Sequence, residues 1–270
     1  MLSLKGKKII LNVSDLWPLA AIELNALKEN SFSHKLSLFF EKYIYQKATV
    51  IIGQSDEIIT HIQQKFPKKP CYLYRNFPNH QIQKPDFIAS ENEPIKLFYA
   101  GLLGVAQGVF ELCKKMNLEN LNIEFHIFGD GAEKIQIENF IKENPLKNIT
   151  FHGMLERNEL ISRLTCFDIA LVPLTKRIYG SVPSKIFEYS ALGIPILYFG
   201  GGEGENLIRE NHLGWVADVG DFEELNYVLK TISKIKKNEI ISIKNNVFKY
   251  SKTKFNLDVQ IKNLIINGVF

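Results

Sequence analysis

The chain has 270 residues, 46% apolar and 23% charged, which suits one large or two modest soluble domains and argues against disorder. Its 33 basic and 29 acidic side chains give a formal charge of +4, which admits anionic ligands without implying nucleic acid. Cys71, Cys113 and Cys166 show no paired spacing, which supports neither a disulfide framework nor a zinc site and points to the reducing cytoplasm. No apolar run reaches the roughly 18 residues of a membrane span. The run after the basic residues 1–8 is broken by Asn12, Ser14 and Asp15, so neither a span nor a signal peptide is expected.

In chain order the pattern predicts strand 8–13, helices near 20–27 and 33–45, strand 49–52, helix 57–65 and strand 71–74. Three parallel strands make a poor independent sheet, because a parallel layer needs more neighbours to cover its faces. Helix 33–45 carries Leu36, Leu38, Phe39, Phe40, Tyr43 and Ile44 around more than one face, which predicts a core helix. In a half-domain part of it would instead be exposed and seek a partner or a membrane. Residues 80–93, rich in Pro, Asn, Gln and Asp, read as a linker. The boundary falls near 85, giving a partial N-terminal α/β domain over 1–85 and a larger domain over 86–270 that ends in a closing helix.

From Ile95 onward short strands alternate with helices, the signature of a parallel sheet covered on both faces. The strands are 95–100, 123–128, 149–151, 168–172, 196–199 and 215–217; the alternation of Ile123, Phe125 and Ile127 with Glu124 and His126 predicts an edge or half-exposed strand. Asp221 and Glu224 form a capping-box-like helix start, followed by the stripe Phe222, Leu225, Val228, Leu229 and Ile232. Leu257, Ile261, Leu264 and Ile265 mark one face of the closing helix.

Residues 172–195 are the most informative. A buried strand ends at Pro173, a loop with Lys176 and Arg177 follows, and a helix is predicted to start at Ser181 as N-cap, with Pro183 in its first turn, and to stop at Gly193 and Pro195. In open α/β sheets ligands bind beyond the carboxyl ends of the strands, where helix N–H groups attract phosphate. A diphosphate suits this place: Lys185 supplies a full charge, and Glu188, one turn on, can accept from a vicinal diol such as a ribose. As a lone pair, Lys185 and Glu188 would be an i,i+3 surface contact worth roughly 0.2–0.5 kcal/mol; the strand end and the Ser-x-Pro-Ser-Lys start around them favour the site. Glycine turns at 99–108, 129–131 and 200–205 also lie at strand ends, where a missing Cβ admits a ligand to the backbone. Gly129 to Gly131 reads equally as a plain tight turn, Glu203 as a helix cap, and Glu205 as either cap or ligand contact.

The order of Tyr-Ala-Gly…Gln-Gly (99–108), Phe-Gly-Asp-Gly (128–131), Phe-His-Gly-Met-Leu (151–155), Asp-Ile-Ala-Leu-Val-Pro-Leu (168–174), Ser-Val-Pro-Ser-Lys-Ile-Phe-Glu-Tyr (181–189) and Gly-Ile-Pro-Ile-Leu (193–197) resembles family 4 glycosyltransferases, especially the colanic-acid and O-antigen type. Ser14-Asp-Leu-Trp-Pro18 and Arg75-Asn-Phe-Pro78 look like the family's upstream segments. The resemblance implies a GT-B fold: a complete C-terminal Rossmann-like parallel sheet domain that holds the nucleotide diphosphate-sugar, plus a partial N-terminal Rossmann-like acceptor-side domain. It implies a retaining transferase that needs no metal or other cofactor and moves a hexose or N-acetylhexosamine to a lipid-linked or surface polysaccharide acceptor.

It further implies that Gly153, Met154 and Leu155 face the nucleobase, that Gly180, Ser181, Val182, Pro183, Ser184 and Lys185 face the diphosphate, and that Glu188 binds the ribose. Gly101, Gly104, Gln107 and Gly129 complete the donor site, and Glu205 matches the glutamate of the family's Gly-Gly-x-Pro-Glu turn, with Gly204 in place of the proline. Leu102 and Gln107 stand where many members carry the phosphate-binding Arg and Lys, and Gly180 replaces the first glutamate of the usual pair, so more of the phosphate charge falls to Lys185, with Arg177 or Lys176 as helpers. An acceptor domain of roughly 100–200 residues would be usual; about 80 precede the boundary, so the chain is expected to be a truncated frame or one subunit of a pair. A companion chain, and peripheral contact with the inner membrane face, are the partners this reading adds.

An inactive remnant or subunit that still binds nucleotide-sugar is the alternative. A GT-B epimerase is disfavoured, because no carboxylate and histidine set gathers at the same pocket. His34, His61, His80 and His212 are scattered, Trp17 reads as a packing residue, and the lysines between 230 and 254 read as a solvated helical surface.

Overall fold

The computed structural model describes residues 7–79, 84–87, 93–145 and 148–270, so most of the expected linker lies outside the described residues. In chain order the elements are β1 (Ile10–Val13), α1 (Leu19–Glu23), α2 (Phe32–Lys47), β2 (Val50–Gly53), α3 (Asp56–Lys65), β3 (Cys71–Leu73), β4 (Ile95–Ala100), α4 (Val109–Lys115), β5 (Ile123–Phe128), α5 (Lys134–Glu143), β6 (Ile149–Gly153), α6 (Arg157–Leu164), β7 (Ile169–Pro173), α7 (Lys185–Ala191), β8 (Ile196–Phe199), α8 (Glu203–Glu210), β9 (Gly214–Ala217), α9 (Phe222–Ile232), α10 (Lys237–Lys254) and α11 (Leu257–Ile266). They form two compact units. One comprises Met1–Phe77, Ile178–Val182 and Asn256–Phe270, the other Pro78–Arg177 and Pro183–Phe255. This differs from a division near 85 in three places: the main boundary falls after Phe77, and α11 and the five-residue excursion before α7 both belong to the first unit.

In the first unit the described strands form a parallel sheet in the order β1-β2-β3. Ile51 of β2 packs with Tyr45 of α2 and Ile58 and Ile62 of α3, while Val50 and Ile52 point the other way, onto Leu264 and Val269. That alternation is the period of two of a strand covered on both faces. Ser55 caps α3, accepting from the Ile58 N–H at 3.1 Å, and Asp56 and Glu57 suit the positive end of its dipole. Gln260 of α11 ties the unit together: its Oε1 accepts from the Arg75 N–H at 2.8 Å and its Nε2 donates to the Arg75 carbonyl at 2.9 Å. The expectation of a core helix over 33–45 is corrected. The buried residues of α2 are His34, Glu41 and Tyr45, while Phe32, Phe39, Phe40, Tyr43 and Ile44 are exposed.

The second unit holds, among the described residues, a fully parallel sheet in the order β6-β5-β4-β7-β8-β9. Counted within the unit this is 3-2-1-4-5-6, the doubly wound nucleotide-binding order, whose direction of winding reverses between β4 and β7. Strand 123–128 is half-buried as its alternation implied, but it is an interior strand between β6 and β4. Its Glu124 and His126 are spared full burial by position on the face, not at the rim. Leu112, Phe125, Ile137, Leu171, Leu197, Leu225 and Leu229 contribute to one continuous core. The Asp221 cap forms as expected, accepting from the Glu224 N–H at 2.9 Å, while the Glu224 carboxylate reaches back to the Asp218 N–H at 2.7 Å.

Candidate functional site

The site lies beyond the carboxyl ends of β4, β5 and β6, on the side of the sheet where α7 follows β7. A cavity of about 410 Å³ is lined by Ala100, Gly101, Met154, Leu155, Lys185 and Glu188, with Tyr189 behind them. A second, of about 550 Å³, shares Gly101, Met154 and Leu155 and adds Leu102, Gly129 and Asp130. The two adjoin through their common lining. Backbone approaches backbone closely here: a Cβ on Gly129 (φ 144°) would lie 1.8 Å from the Gly101 carbonyl oxygen, so only glycine fits.

Helix α7 orients the two charged residues. Lys185 and Glu188, three positions apart, share a face and line the same cavity. The Lys185 ammonium donates to the Ala100 carbonyl and sits 4.5 Å from the centre of the Tyr99 ring. Burial lowers its pKa to about 8, with nearby Glu188 opposing the shift. The Tyr189 hydroxyl donates to the same Ala100 carbonyl at 3.1 Å, and burial raises its pKa above the usual tyrosine range. A partly desolvated cation that leans on a neutral carbonyl and a π face, with no carboxylate bonded to it among the described residues, has most of its charge left for an anion. Gly101 makes room for that ammonium: a Cβ there would come within 2.0 Å of Nζ.

The structure does not support a helix start at Ser181. Helix α7 begins at Lys185 after Ser184, with no side-chain cap. The preceding residues are held in the first unit, where Glu57 accepts from the Gly180 N–H at 2.7 Å and Ser55 donates to the Gly180 carbonyl at 2.7 Å. Gly180, at φ 84°, turns the chain there and leaves Ser181 to donate to Ile178, so 181–184 remain outside the helix. The far end stops as expected, at Gly193 in the left-handed region, where a Cβ would strike Phe87.

Of the residues singled out in the sequence, Gly101, Gly129, Met154, Leu155, Lys185 and Glu188 line the two cavities. Gly153 stands just behind, its carbonyl accepting from the Gly129 N–H at 2.8 Å. Gly104 and Gln107 form the turn before α4, and Gln107 Oε1 is buried without a hydrogen-bond partner among the described residues. Pro183 and Ser184 precede α7 and line neither cavity; Gly180, Ser181 and Val182 belong to the other unit. Glu205 falls inside α8, which starts at Glu203, and it pairs with Arg209 at 2.9 Å. Arg177 packs against the turn at Gly201 and Gly202. Sequence reasoning passed over Tyr99, Asp130 and Tyr189. Tyr189 could have been found, since it lies four residues after Lys185 on the same helical face.

A doubly wound parallel sheet with a cavity at its carboxyl edge defines a Rossmann-like α/β unit. The chain belongs to the glycosyl transferases group 1 family, whose model matches residues 80–254. It is 26% identical over 223 residues to the probable glycosyltransferase WbjE of Pseudomonas aeruginosa, covering 78% of this chain and 56% of WbjE. To the amylovoran biosynthesis glycosyltransferase AmsK of Erwinia amylovora it is 24% identical over 149 residues, 53% of this chain and 37% of AmsK. The chain thus spans about half or less of the curated relatives it matches. The fold is similar to that of HepE from Anabaena in complex with UDP-glucose, with TM-score 0.72, 15% identity, and coverage of 97% of this chain and 72% of HepE.

Proposed function

We propose that this chain carries the donor-binding part of a retaining family 4 glycosyltransferase. It would transfer a hexose or N-acetylhexosamine from a nucleotide diphosphate-sugar to a lipid-linked or surface polysaccharide acceptor at the cytoplasmic side of a membrane. The observation that carries the reading is the pairing of Lys185 and Glu188 on one face of α7 in a cavity at the carboxyl edge of the sheet. Lys185 meets the diphosphate and stabilises charge as the sugar leaves, with the α7 N–H groups adding their dipoles. Glu188 accepts from the ribose hydroxyls. The loop 153–155 faces the base, Gly101, Gly104, Gln107 and Gly129 admit the sugar and phosphates, and Pro183, Ser184 and Glu205 complete the donor site. UDP as the nucleotude part is suggested by HepE, whose structure holds UDP-glucose. A companion polypeptide that completes the acceptor side is part of this reading.

Calorimetric titration of the purified chain with UDP, GDP and UDP-N-acetylglucosamine tests it. Saturable binding to one nucleotide, lost in Lys185→Ala, supports the reading; a folded chain that binds none overturns it.

A further inference from the structure

Leu97 and Tyr99 share one face of β4 and pack in the core of the second unit with Leu103 and Leu112. Tyr99 is 1% exposed, so its hydroxyl has to find a partner inside the protein, and it donates to the Leu102 carbonyl at 2.6 Å. A phenylalanine would fill the same space without that requirement. The bond ties the outer end of the ring to the loop that follows its own strand and fixes the plane of the ring. Over that plane stands the Lys185 ammonium, 4.5 Å from the ring centre. The second contact of the ammonium, the Ala100 carbonyl, is shared with the Tyr189 hydroxyl at 3.1 Å. A Cβ at position 101 would meet both Lys185 Nζ and, at 3.2 Å, the Tyr99 hydroxyl, so lysine, tyrosine and Gly101 form one close cluster.

We propose that Tyr99 is a positioning residue for the nucleotide-sugar: its ring face holds the Lys185 ammonium in the diphosphate cavity before the donor arrives. The assignment rests on the reading of Lys185 as the partner of the diphosphate. Burial works against the charge on Lys185, and Glu188 favours it. The negative face of the ring adds a second favourable field, which gains strength where water is excluded. A four-carbon stem otherwise leaves the ammonium several positions to occupy, and ordering it on binding would cost affinity. A ring and a carbonyl place the cation in advance without neutralising it, as a bonded carboxylate would. Tyr99 itself moves no proton: burial, with the nearby Glu133 charge, raises its pKa, and its hydroxyl hydrogen is committed to Leu102.

Tyr99→Phe, and pentafluorophenylalanine put in place of Tyr99 by nonsense suppression, test this in the full chain, with circular dichroism of each variant. The two rings have nearly one shape, but fluorine removes the negative charge of the face. The Lys185 pKa is read by carbon-13 NMR of the lysine Cε, with Lys185→Arg assigning the signal, and UDP affinity by calorimetry. Tyr99→Phe should keep the pKa at about 8 and weaken UDP binding about threefold, the loss of one neutral hydrogen bond. Pentafluorophenylalanine should lower the pKa by about one unit more. Affinity at pH 8 should then fall about fivefold further, following the charged fraction, and the gap should close at pH 6, where Lys185 is charged in both. A pKa indifferent to fluorine, or an affinity gap equal at pH 6 and pH 8, overturns the proposal and leaves the ring a core residue. A folded chain that binds no UDP would sink the donor reading, whereas a pKa that still followed fluorine would establish Tyr99 as the residue that holds Lys185.

Discussion

Raising the pH from 7 to 9 should weaken binding of a nucleoside diphosphate to the second unit about tenfold. With a pKa of about 8 in the unbound protein, Lys185 is about nine-tenths charged at pH 7 and about one-tenth charged at pH 9. A diphosphate binds the charged form, so across this window affinity follows that fraction, a loss of about 1.4 kcal/mol. The phosphate contributes no slope of its own, since its last ionisation lies near pH 6. Calorimetry in buffers of differing ionisation enthalpy reads the same event twice: affinity falls, and proton uptake on binding rises from about 0.1 at pH 7 to about 0.9 at pH 9. Lys185→Arg should bind with a flat profile, because guanidinium stays charged. A wild-type profile as flat as that of Lys185→Arg would refute the assignment of Lys185 to the anion.

The depressed pKa also acts on folding. The unfolded lysine keeps its proton to about pH 10.4, so the stability contributed by this group rises between about pH 8 and 10.4 and is lowest below 8. Lys185→Met should therefore raise the melting temperature at pH 7 by a few degrees while abolishing nucleotide binding. Glu188→Ala should cost about 10- to 100-fold in affinity for UDP, the range of a charged hydrogen-bond acceptor, with little effect on melting. Gly129→Ala should destabilise by about 2 kcal/mol or more, measured by thermal unfolding, because the new Cβ meets backbone that cannot swing aside. Gln260→Leu removes the two hydrogen bonds that the Gln260 side chain makes to the Arg75 backbone, and hydrogen exchange should show α11 opening by about 1–3 kcal/mol more easily.

Strands 95–100, 123–128 and 196–199 were legible to the residue because each is a short apolar run bounded by turn formers, a purely local signal. The same holds for the Asp221 cap. The Lys185 and Glu188 pair was legible because three-residue spacing fixes a shared helical face wherever the helix begins. What escaped depended on partners distant in sequence. Ser181 followed by Pro183 has the form of a helix start, yet Glu57 and Ser55, more than 120 residues away, claim the Gly180 backbone and delay α7 to Lys185. Periodicity found the amphipathic character of helix 33–45 but assigned its apolar arc to the core, whereas Lys65 and His61 fix Glu41 inward. Strand 123–128 alternates like an edge strand although β6 covers its outer side, because half-burial of a face and exposure of an edge leave the same pattern in sequence.

The most direct test of the donor site is a crystal structure of the chain with bound UDP. The account expects the diphosphate within hydrogen-bonding distance of Lys185 Nζ, the ribose hydroxyls on the Glu188 carboxylate, and the uracil against residues 153–155. A nucleotide seated elsewhere in the chain, with the cavity between Gly101 and α7 left to solvent, would contradict it.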